Sequence, residues 1–269
     1  MADTRNKVVH LVRGNGSSCT VNLFGATITS WKVGSSEQLF VSKDAVFDGK
    51  TPIAGGIPVV FPKFSHWEAK PFHGFARECE WSVEIPATQT EVGDVRAVLN
   101  LTDSDWTRQY WNYAFSITLE VVLGRTQLTT NISVHNPSSE ESFAFELLLH
   151  TYLLLPDVTK CEITGFNGCS YLDNTQNLQE FTQETDIITV RNHTDNIYRD
   201  TAKEHVISQA IGGKSIKLFK TNYPDTVVWN PWDNPESQNF LCVEAGHITK
   251  PVLLVPGQTF KASQILQVD

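Results

Sequence analysis

A chain of 269 residues with 41% hydrophobic side chains can bury a large core, and one all-β domain of that size is ordinary. A formal net charge of −9 excludes a broad nucleic-acid footprint, because a phosphate backbone needs a basic face. Five cysteines (Cys19, Cys79, Cys161, Cys169 and Cys242) with no CxxC pair suggest neither a disulfide framework nor a zinc site.

The opening MADTRNKVVH lacks the apolar stretch of a secretory signal, and no run has the length of a membrane span. A cytoplasmic chain without nucleic-acid or membrane partners is expected. VVHLV, TVNLF and TITSW then read as short strands. Residues 54–81, AGGIPVVFPKFSHWEAKPFHGFARECEW, are too rich in Gly, Pro and aromatics for a regular element. Between Pro62 and Arg77, the cations Lys63, Lys70 and Arg77 face Glu68 alone, with His66 and His73 as further donors. An arginine fork suits a phosphate or carboxylate. The alternative is a packed loop whose charges point into water. Gly55-Gly56 lacks the spacing of a P-loop or dinucleotide fingerprint.

RAVLNLT is another strand, and one helical turn is expected around Ser104 to Tyr113. FSITLEVVL and QLTTNISVHN each alternate apolar and polar residues and read as an antiparallel hairpin. FAFELLLHTYLLLP is more unusual. As one strand it turns Phe143, Phe145, Leu147, Leu149, Thr151, Leu153 and Leu155 to the core. Ala144, Glu146, Leu148, His150, Tyr152 and Leu154 turn the other way. A carboxylate, an imidazole and a phenol among apolar groups suit the floor of a polar cleft. A structural histidine with hydrogen-bond partners is the plainer reading.

The polar segment from about Ser170 to Asp200 reads as a long surface excursion. SIKLF, TVVW and PVLLV add strands. In DTVVWNPWDNP, Trp229 and Trp232 flank Asn-Pro as a rigid aromatic wall that could stack on a sugar or serve as core. In FLCVEAG, Glu244 stands before Ala-Gly, an expected strand end. A histidine and a glutamate together make a general acid and base. Many short strands with Gly and Asn turns predict an all-β fold, a β-sandwich with very little helix, as one domain over residues 1–269.

In order, GGIPVVFPKF, HGFARECEW, LLLHTYL, HTDNIY, DTVVWNPW and FLCVEAG with PVLLVPG resemble the glucose-6-phosphate 1-epimerase family of the aldose 1-epimerase superfamily, from about Gly14 to Ile265. The resemblance implies a galactose-mutarotase-like fold, a large antiparallel β-sandwich with its site in a cleft on one sheet. It implies a catalytic pair, His150 of the LHTY motif as acid and Glu244 of the VE-G motif as base. It implies Arg77 of the HGFAR motif as a phosphate contact and Asp195 of the TD-x-x-Y motif as a sugar-hydroxyl contact. His73, Lys63 and Trp229 complete the expected substrate site. The expected reaction interconverts α and β anomers of a hexose 6-phosphate without cofactor or metal, on a small-molecule substrate, in a monomer. Three positions depart from the family pattern: Ala54 where Arg usually precedes Gly-Gly, Phe72 before the HGFAR histidine, and Ser65 after P-x-F. They leave open a free-hexose mutarotase. A non-catalytic carbohydrate-binding protein is the other alternative, against which the intact His150 and Glu244 weigh.

Overall fold

The computed structural model describes residues 7–269 other than Asn15 and Lys70. The first six residues of the opening segment and Lys70 of the basic loop lie outside the described residues.

Period-2 patterning becomes sheet as expected. Ser116–Leu123 and Gln127–His135 both bury every second side chain and pair antiparallel from Ser116 opposite His135 to Leu123 opposite Leu128. They lie inside a nine-stranded sheet that runs from Ile187–Ile188 at one edge to Ser82–Gln89 at the other. An eight-stranded sheet packs against it. Its order is Gln179–Thr182, Ser170–Asp173, Thr194–Tyr198, Asp225–Asn230, Phe240–Leu254, Phe143–Leu149, Val59–Val60, with Tyr152–Leu154 also paired to Phe240–Leu254. One apolar cluster takes Phe145, Leu147 and Leu149 from this sheet and Leu119, Val121, Ile132, Leu218 and Leu266 from the other. Each such side chain contributes about 1.5–3 kcal/mol on burial. A four-stranded sheet of the first strands, Val8–Val12 to Ser36–Glu37, adds Leu11, Val21 and Trp31 to the same cluster. The expected helical turn is Asp105–Arg108. Ser104 caps it, its hydroxyl accepting from Thr107 N–H while the Thr107 hydroxyl accepts from Ser104 N–H.

Two expectations change. The Ser170–Asp200 segment is no structureless excursion: four short strands lie within it or across it, three of them extending the eight-stranded sheet. Their side chains are mostly half-exposed and polar, so the strand signal comes from pairing rather than from burial. FAFELLLHTYLLLP is two strands, Phe143–Leu149 and Tyr152–Leu154, broken at His150 and Thr151. Thr151 N–H donates to Leu149 O (2.9 Å), a tight turn, and His150 N–H donates to Pro58 O (3.0 Å). The alternation survives the break: all seven odd positions from Phe143 to Leu155 are buried.

Candidate active site

Register builds the centre of the site. After an irregularity between Phe145 and Leu147, Leu147, Leu148 and Leu149 lie opposite His247, Gly246 and Ala245, and Tyr152 lies opposite Cys242. The same count sets His150 opposite Glu244, and opposed residues of an antiparallel pair share a face. The imidazole Nδ1 is 3.5 Å from Glu244 Oε1. Glu244 is 1% and His150 8% exposed, so both sit in a place of low polarisability. Among the described residues neither His150 Nδ1 nor Glu244 Oε2, both buried atoms, has a hydrogen-bond partner. The expected end of the strand at Ala245-Gly246 is not found. Phe240–Leu254 runs on, with Gly246 paired to both Leu148 and Asp225, so Glu244 is a mid-strand residue.

Burial sets the protonation of the pair. It pushes the Glu244 carboxyl well above the carboxylate range, with Asp195 adding to the effect. It pulls His150 down to about 3, helped by the nearby Arg77 charge. Without a ligand, the single proton of the pair sits on the carboxyl and the imidazole is neutral. Burial therefore favours carboxylic acid with neutral imidazole over carboxylate with imidazolium, because desolvation opposes both charges.

Around the pair, a cleft of about 200 Å³ is lined by Phe64, Ser65, Phe72, His73, Arg77, Tyr152, Asn174, Asp195, Val227 and Trp229 as well. The Gly/Pro-rich loop supplies one wall. His73 (φ +62°) and Gly74 (φ +71°) are both left-handed. A Cβ on Gly74 would meet Phe61 O at 2.2 Å, so only glycine fits there. The turn aims His73 inward: its Nδ1 accepts from Ser65 N–H (3.0 Å), which fixes the other nitrogen as the donor. Burial and the neighbouring His150 keep it neutral, near 2. Arg77 starts from the turn Ala76–Glu78, donates to Phe72 O (2.8 Å) and lies 5.7 Å over the Phe72 ring. Its buried Nε has no partner among the described residues.

The opposite wall is aromatic and acidic. Trp229 stands edge-on to His150 (5.8 Å between ring centres, 83°) and to Tyr152 (6.0 Å, 81°). Asp195 lies beside it in the sheet, opposite Trp229, with its carboxylate accepting from Asn174 (2.7 Å). Trp232, the second half of the expected aromatic wall, packs against the main core instead.

Six of the seven site residues read from sequence thus line one cleft: His73, Arg77, His150, Asp195, Trp229 and Glu244. Lys63 does not. Its ammonium is bound by Glu146, a buried carboxylate that also accepts from Phe64 N–H (3.0 Å). Lys63 is corrected from a ligand contact to a fastener of the loop that carries Phe64. Of the three departures from the family pattern, Ser65 and Phe72 line the cleft and Ala54 does not. Sequence reasoning missed Asn174, which sits in the polar segment read as surface. Tyr152, the phenol expected on the cleft floor, is there, its ring flat on the His150 imidazole (4.6 Å, 11°).

A large antiparallel sandwich with an imidazole–carboxyl pair at the floor of a Trp-walled cleft belongs to the galactose-mutarotase-like class. A galactose-mutarotase-like protein of Lactobacillus casei superposes with a TM-score of 0.80 at 14% identity, over 98% of this chain and all of the other (100%). The crystal structure of a provisionally named mutarotase from Salmonella typhimurium superposes with a TM-score of 0.86 at 25% identity, over 97% of this chain and 89% of that one. The family model described as aldose 1-epimerase matches residues 7–267, and the chain belongs to that family. A Cenchrus ciliaris protein, provisionally named glucose-6-phosphate 1-epimerase, is 30% identical over 270 residues, 93% of this chain and 82% of its own length.

Proposed function

We propose that this isomerase interconverts the α and β anomers of a hexose 6-phosphate, glucose 6-phosphate foremost, by general acid–base ring opening and closure. The observation that carries the reading is the His150–Glu244 pair, 3.5 Å apart on a buried sheet face and lining the cleft. Two transferable groups side by side are what the chemistry needs. Glu244 as carboxylate takes the proton of the anomeric hydroxyl, and His150 as imidazolium gives one to the ring oxygen. The C1–O5 bond opens to the aldehyde, rotation about C1–C2 presents the other carbonyl face, and closure reverses both transfers.

The proton count is the same throughout. Carboxylate plus imidazolium, and carboxylic acid plus imidazole, each hold one proton. Burial favours the second arrangement, which is also the arrangement once the ring has opened. A closed sugar must therefore draw the proton across to His150, and its hydroxyls supply the polarity for that shift. His73 donates from its free nitrogen, Asp195 accepts from a sugar hydroxyl, and Trp229 offers a face to the ring. The guanidinium of Arg77 holds the 6-phosphate.

A single domain working as a cytoplasmic monomer without cofactor fits this reading. The five thiols are unbridged, and no helix among the described residues is long and apolar enough to cross a membrane. A free-hexose mutarotase is the second reading. What favours it is that Arg77 is the one guanidinium or ammonium among the described residues lining the cleft. The deciding experiment follows anomerisation of glucose, galactose and glucose 6-phosphate by exchange NMR. Faster turnover of the phosphate ester supports the proposal; preference for a free hexose replaces it with the second reading, and no turnover of any sugar removes both.

A further inference from the structure

Cys242 has no part in the reaction, yet it stands two residues before Glu244 on the same strand and therefore on the same face. An imidazole nitrogen of His150, the Cys242 sulfur and a Glu244 oxygen all lie within 4.8 Å of one another. All three residues are more than nine-tenths buried. Two of their polar atoms, His150 Nδ1 and Glu244 Oε2, lack a hydrogen-bond partner among the described residues. A fully buried polar trio left open in this way is unusual unless something else is bound there.

We propose that the cleft takes one borderline-soft divalent cation of the zinc class on His150, Cys242 and Glu244, in competition with the sugar. The donor set selects the metal. Imidazole, thiolate and carboxylate suit zinc or cobalt, whereas calcium and magnesium call for oxygen donors throughout. Three protein ligands with a fourth position open to the cleft is a common zinc arrangement. Binding sends the thiol proton and the carboxyl proton to solvent. The cation with one thiolate and one carboxylate is then neutral overall, which a buried place tolerates. Metal–ligand distances of about 2.0–2.3 Å put tetrahedral ligands roughly 3.3–3.8 Å apart. The 3.5 Å between His150 and Glu244 already meets that spacing, and side-chain torsion closes the remainder. Sequence spacing alone gives no such site, because His150 is 92 positions from Cys242 and only strand pairing joins them.

Inhibition rests on the reading of His150 and Glu244 as the proton-transfer groups; binding does not. The test therefore starts without sugar. Cobalt(II) is titrated into the full chain. The expected result is one equivalent bound with a thiolate-to-cobalt charge-transfer band, displaced by zinc and lost in Cys242→Ser. His150→Asn should keep the band and weaken binding by on the order of tenfold or more. Absence of the band in the parent protein, or its persistence in Cys242→Ser, overturns the site. Zinc inhibition is then read for parent and Cys242→Ser, each against its own metal-free rate. The inhibition constant should rise by on the order of tenfold or more in the variant. An unchanged constant removes Cys242 from the inhibitory site. A cobalt band in a protein that anomerises no sugar keeps the metal site and removes the proposed function instead.

Discussion

The protonation of the buried pair makes a prediction that separates two pictures of the same residues. If His150 and Glu244 kept ordinary values, the free protein would hold a carboxylate and an imidazolium together only between about 4.3 and 6.5, and activity would fall on both sides of that window. The structure gives another order. His150 at about 3, against an ordinary 6.5, corresponds to about 5 kcal/mol acting against the imidazolium in the empty cleft. Glu244 moves the opposite way. The pair therefore keeps one proton over a wide range. It gains a second only when His150 protonates at low pH, and loses its last only when the raised Glu244 ionises. In kcat/KM, which reports the free protein, the acid limb belongs to His150 and lies well below pH 6, and the alkaline limb belongs to Glu244. The assay is anomerisation of glucose and of glucose 6-phosphate from pH 4 to 9 with a chelator present. The free sugar serves as the control because a phosphate monoester itself titrates near about 6. His150→Asn and Glu244→Gln should each lower turnover by on the order of 10²-fold or more. An acid limb near 6.5 on free glucose, centred on an ordinary histidine, would refute the burial argument and restore the ion pair.

Three further outcomes are expected. Arg77→Ala should raise KM for glucose 6-phosphate by about tenfold and leave glucose nearly unchanged, whereas Lys63→Ala should leave both unchanged and cost about 1 kcal/mol in denaturant unfolding, since its ammonium is half in water; a phosphate-selective KM effect in Lys63→Ala would reinstate it as a ligand. His73, His150 and His205 are held neutral by burial, near 2, 3 and 4, so the stability they contribute is complete above 6.5 and is lost as pH falls towards those values. Each removes up to about 1.4 kcal/mol per pH unit, with the raised Glu244 opposing, and a urea midpoint at pH 5 equal to or above that at pH 7 would contradict this. Gly74→Ala, which forces a methyl onto Phe61 O from a left-handed backbone, should cost about 2 kcal/mol or more and reduce turnover through displacement of His73, and wild-type values for both would show the loop to be slack.

What was legible in the sequence was whatever depends on neighbours along the chain. Period-2 alternation gave the hairpin Ser116–His135 and the sidedness of Phe143–Leu155, and a lone imidazole in a leucine run marked His150. What was not legible depends on pairing across the chain. Lys63 looked free because its partner Glu146 lies 83 positions away, and Glu244 looked terminal because the pairing of Gly246 with Leu148 and Asp225 carries the strand past Ala-Gly. The charge states of the pair depend on burial, which no motif encodes. Register shows how much of the site hangs on pairing. From Phe143 to Phe145 the paired numbers sum to 397, and from Leu147 to Leu149 they sum to 394. The first register carried forward would set His150 opposite His247. The three-residue shift between Phe145 and Leu147 sets it opposite Glu244 instead, and Tyr152 opposite Cys242 keeps the new count. The catalytic pairing proposed for this chain is thus made by a bulge four or five residues before His150, where strand irregularities re-aim a side chain.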